Sequence, residues 1–358
     1  AVLHDRNLLT YLLTQQPDYL PGRGDATADL LTQATINHAR DPLPPETDPK
    51  QSTAWLAADI SSQAIHAAAT GKPLPQTRLA LAGIIATYLP DLARTSASSD
   101  GGTGVYDHST LPWPKYVHGT DGWPTIGIQL TKDDARNVLQ AVGGDEAART
   151  MIARTANAYT TILFDRAAAA ELVWDPAASH SQGSPFAAAT NDGAALLGFL
   201  VDGLARGDIA DAEDDAHRRE KVAQLLLLPT DLIPMDKAGP AAPIAGILLD
   251  AVKEGATKRF VGNGVDFAIE TVNEDWDNTR EALKLQAFEA ARVHDMLCAD
   301  DHKLWPKDTT GHLIPVASMI GDQRRFVLQN IGHDQGYTAA AAASINAAQD
   351  VYRPPYPK

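Results

Sequence analysis

Residues 130–165 read LTKDDARNVLQAVGGDEAARTMIARTANAYTTILFD, and this stretch decides the fold class. Thr131 opens a helix, with Asp134 three residues on as an acidic version of the capping box, in which side chains satisfy the first unpaired amides. Gly143 and Gly144 supply the stop, since glycine ends a helix without steric cost. Beyond them Ala148, Ile152, Thr155, Tyr159 and Ile162 recur at steps of four and three, so they fall on one stripe that Met151 and Leu163 widen. A stripe of that width is buried against other helices, and it predicts an all-α, multi-helix bundle.

The same period runs outward in both directions. Toward the N-terminus Leu9, Leu12 and Leu13 belong to one helix and Leu30, Leu31 and Ala34 to a second. The connection HARDPLPPETDPKQST cannot be helical, and Ser52 or Thr53 caps a third helix through Trp55, Leu56, Ile60, Ile65 and Ala68. A fourth, roughly Pro75 to Ala97, carries Leu79, Ala82, Ile85, Tyr88 and Leu89 and is kinked by Pro90 near its end. Toward the C-terminus, helical patterns follow in SPFAAATNDGAALLGFLVDGLARG, in DIADAEDDAHRREKVAQLLLL, through Val265 to Ala291, in GDQRRFVLQN and in YTAAAAASINAAQDVY. Asp214 with Arg218, and Asp215 with Arg219, are spaced for pairing on one helix face.

One segment breaks the pattern. From Ser96 to Leu130 the chain is rich in Gly, Pro, Trp and Tyr and has no helical period; VYDH and TIGIQL are candidate strands of a short hairpin. Long irregular segments of this kind are usually either functional or mobile. The expected organisation is therefore an N-terminal helical subdomain (1–95), an irregular insertion (96–130) that is the best candidate for a recognition surface, and a main helical domain (131–358).

Composition narrows the function classes. With 358 residues the chain can bury a large core, and its formal net charge of −15 repels phosphate backbones, which argues against nucleic acid as a partner. Cys298 stands alone, so neither an intrachain disulfide nor a cysteine-pair metal motif can form. AVLHDRNLLTYLL has no basic region before its apolar residues and does not read as a signal peptide; it reads as the middle of a helix, so a longer parent protein is expected. Localisation stays open between the cytoplasm and export by a route that needs no signal peptide.

No motif assigns a catalytic, cofactor-binding or metal residue. His294, Asp295, Cys298, Asp300, Asp301 and His302 are dense in ligand atoms, but a metal needs about four converging ligands and no zinc spacing is matched. The default for this cluster is a polar helix end. His4 with Asp5, and His333 with Asp334, are dipeptides without a readable third partner. SSDGGTG lacks the ending of a phosphate loop, and Asn273, Asp275 and Asp277 lack the glycine and glutamate of a calcium loop. Trp113, Tyr116 and Trp123, among prolines, form either a binding lid or a packed loop, and packing is the simpler reading.

The two apolar runs between Val222 and Gly255 raise a membrane question. A crossing needs about 20 consecutive apolar residues. Asp231, Asp236, Lys237 and Asp250 cut the runs below that length, and a charge at the bilayer centre costs about 3 kcal/mol. A buried helix-turn-helix fits better than a membrane element, and Pro229 to Gly239 would be its turn.

The order of NLLTYLL, IHAAATGKP, LAGIIATYLPDLAR, residues 130–165 and IPMDKAGPAAPIAGILLDAVKEG resembles the C-terminal half of an uncharacterised family of large helical actinobacterial proteins encoded near small WXG-type secreted proteins and polymorphic toxins. That resemblance implies a helical protein linked to type VII-like secretion or toxin deployment, with a small WXG-type protein as a possible protein partner; it transfers no functional residue. The expected function is a non-enzymatic interaction or scaffold domain of a larger secretion- or toxin-associated protein. The alternatives are a membrane-active, pore-forming effector using residues 222–255 and a metal-dependent hydrolase drawing on His294, Asp301 and His302.

Overall fold

Helix starts in the computed structural model follow side-chain caps that the sequence displays. Ser52 Oγ accepts from Trp55 N at 3.1 Å, Thr131 Oγ1 from Asp134 N at 3.0 Å and Asp145 from Ala148 N at 2.9 Å. Each bond satisfies an amide that has no partner inside its own helix. The structure describes residues 6–14, 23–43, 48–97, 104–107, 123–174, 184–205, 275–297, 305–332 and 337–350. Among them are α1 (Arg6–Thr14), α2 (Arg23–Ala34), α3 (Thr53–Thr70), α4 (Arg78–Thr87), α5 (Leu89–Ala97), β1 (Gly104–Asp107) and β2 (Ile126–Gln129). They are followed by α6 (Lys132–Gly143), α7 (Glu146–Glu171), α8 (Pro185–Ala205), α9 (Asp275–Val293), α10 (Gly321–Asn330) and α11 (Tyr337–Asp350). The described chain is mostly α-helical with one two-stranded antiparallel sheet.

The stripe on α7 is buried as its spacing predicts, with Ile152 and Tyr159 at 0% exposure, but burial does not stop at the stripe. Ala153, Ala156, Phe164 and Ala167 are buried as well, so α7 is a central helix enclosed on most sides rather than an amphipathic one with a single apolar face. It packs against α4, α8 and α9. Gly193 of α8 lies so close to α7 that an added Cβ would stand 2.8 Å from the Phe164 ring. Glu171 meets the start of α8 while Phe164 meets Gly193, so α7 and α8 run antiparallel. At the end of α6, a Cβ on Gly143 would be 2.3 Å from the Leu204 carbonyl oxygen of α8. One hydrophobic cluster extends from Leu9 to Ile345 and draws on helices before and after the hairpin.

Several expectations change in detail. The single kinked helix over 75–97 is a 3-10 turn at Pro75–Thr77 followed by α4 and α5, with the break at Tyr88 (φ −106°, ψ 30°). Pro90 sits in the first turn of α5, where its missing N–H costs no intrahelical bond. Leu30 and Leu56, which belong to the helical period of α2 and α3, are 43% and 39% exposed. Thr131 caps α6, but the Asp134 carboxylate turns away from a capping box to pair with His66 Nδ1 on α3 at 3.0 Å. Strands β1 and β2 occupy the positions where VYDH and TIGIQL predict them, with Val105 opposite Ile128 and Tyr106 opposite Gly127.

Candidate functional site

The base of the irregular segment is the most elaborate polar arrangement among the described residues, and one carboxylate organises it. Asp91, 1% exposed on α5, accepts the Ile128 N–H of β2 at 3.0 Å and the Tyr106 hydroxyl of β1. Tyr106 faces Gly127, which has no side chain to obstruct the phenol on its way to Asp91. Arg94, one turn beyond Asp91, places its guanidinium 4.2 Å from the Tyr106 ring centroid, close enough for a cation–π attraction. Burial, together with the negative charge of Asp91, pushes the Tyr106 phenol well above its ordinary value, so it stays a hydrogen-bond donor. The neighbouring Tyr88 phenol is raised for the same first reason, burial.

This clasp has relatives elsewhere in the molecule. Glu171 at the end of α7 accepts Phe186 N at 2.9 Å and Ser184 Oγ at 2.7 Å, which ties the start of α8 back to the helix before it. Glu289 on α9 accepts Val316 N at 3.1 Å while Arg292 grips it with two bonds of 2.7 and 2.8 Å. In all three cases a helix carboxylate collects a backbone N–H from a later element across a connection. Such bonds to an ionised acceptor are stronger than neutral ones.

A second polar seam joins α7 to α9. Gln286 Nε2 donates to Asn157 Oδ1 at 2.9 Å, Thr160 Oγ1 donates to Gln286 Oε1 at 3.2 Å, and His294 Nε2 pairs with Asp165 Oδ1 at 2.7 Å. Asn157 with Gln286, and Asp165 with His294, share one sequence offset of 129, so α7 and α9 run parallel in a fixed register. His294, a member of the ligand-rich cluster, is thus committed to a helix-helix tie. Asp295 beside it has φ 55°, a left-handed conformation, and Met296 N reaches back to Ala291 O at 2.8 Å. That is a Schellman end to α9, with Asp295 in the position that favours glycine.

Cys298, Asp300, Asp301 and His302 lie outside the described residues, as do His4, Asp5, Asn273, His333, Asp334, Trp113, Tyr116, the SSDGGT part of SSDGGTG, Asp214, Asp215, Arg218, Arg219, the whole of 222–255 and residues 265–274 of the helix expected through Ala291. Among the described residues no three His, Cys, Asp or Glu side chains converge as a metal site, and no helix is long and apolar enough to cross a membrane. Asp275 and Asp277 fall in the first turn of α9. Trp123 is packed rather than displayed: 3% exposed, it meets Tyr159 edge-on at 5.5 Å between ring centroids. Asp192 of α8 is a buried carboxyl that burial pushes up to about 7.

Sequence reading missed Asp91, Asp165 and Gln286 as tie points. Only Tyr106, inside a flagged strand, carried a local signal. Comparison with protein-family models, with curated proteins and with solved structures finds no match for this chain.

Proposed function

We propose that the chain is a non-enzymatic interaction or scaffold module of a larger secretion- or toxin-associated protein, with a small WXG-type protein as its candidate partner. The observation that supports this reading most is how the buried polar side chains are used. Asp91, Glu171, Glu289 and the Asn157–Gln286 and Asp165–His294 pairs tie elements together, as in a rigid body that presents a surface. Within that body the Asp91 clasp fixes both strands that bracket residues 108–125. A recognition segment so anchored loses less freedom on binding than a free loop would.

Co-expression of the full chain with small WXG-type proteins, followed by cross-linking and mass spectrometry, tests the reading. A stoichiometric complex whose cross-links concentrate around 96–130 is the expected outcome. No complex, combined with liposome leakage or with metal-dependent hydrolysis by the purified chain, would replace this reading with one of the two alternatives.

A further inference from the structure

We draw no further inference here: the strongest candidate, the Arg94 guanidinium stacked on the Tyr106 ring at the base of the β1–β2 hairpin as a seat for a partner's carboxylate, carries nothing because residues 98–103 and 108–122, which flank β1 in sequence and include Asp100 and Asp121, lie outside the described residues and nothing in the structure shows what covers it.

Discussion

Where α8 crosses α7, Gly193 brings the two helices together against Phe164 and Thr160, and apolar side chains from several helices surround the contact. The β1–β2 hairpin is seated differently: one carboxylate, Asp91, takes a hydrogen bond from each strand. The first arrangement spreads its stabilisation over many small dispersion and burial terms. The second adds, to the burial of Ile126 and Ile128 and a Ser62 Oγ bond to the Gln129 carbonyl, one carboxylate whose loss strands two donors at once. The helical body should therefore fail as a unit, and the hairpin should detach locally.

The body is most sensitive where backbone meets backbone. Gly143→Ala puts a methyl group against the Leu204 carbonyl, which cannot rotate away as a side chain could. A loss of about 3 kcal/mol, at the upper end for overpacking, is expected in chemical denaturation. An unchanged midpoint would mean that α6 and α8 are further apart than described. Asp91→Ala comes next, at about 2 kcal/mol for an orphaned backbone N–H and hydroxyl, with near-ultraviolet dichroism reporting the freed tyrosine.

A smaller effect tests the body's polar interior. Burial raises Asp192 to about 7, so the group holds its proton in the folded chain at pH values where it would lose it unfolded. Its contribution is then fully present below the ordinary carboxyl range near 4 and is lost as pH rises through about 7. Asp192→Asn should match the wild type near pH 4 and melt about 2 °C or more above it at pH 8. A constant difference across that range would deny the shift. Asp295→Gly should have the smallest effect, a gain of about 0.5–1 kcal/mol from relieving the left-handed conformation at φ 55°.

The same contrast explains what could be read in advance. Helices α3, α6, α7 and α10 were legible because apolar period and caps are local: Ser52, Thr131 and Asp145 each act within three residues. The strands were legible from a change in composition around VYDH and TIGIQL. That α7 is enclosed rather than striped was not, since alanines on its remaining faces carry no period. Nor were the clasps, because Asp91 and Ile128 are 37 positions apart and His294 and Asp165 are 129 apart. An acidic residue on a helix looks the same whether it faces water or collects an amide from a distant strand.

The most direct measurement is residue-resolved hydrogen exchange on the full chain with Asp91→Ala. Protection should be lost at Tyr106 and Ile128 and at their neighbours in 104–107 and 126–129, while the amides of α7 keep theirs. Protection lost along α7 as well, or retained at Ile128, would contradict a hairpin whose hold on the helical body depends on the Asp91 carboxylate.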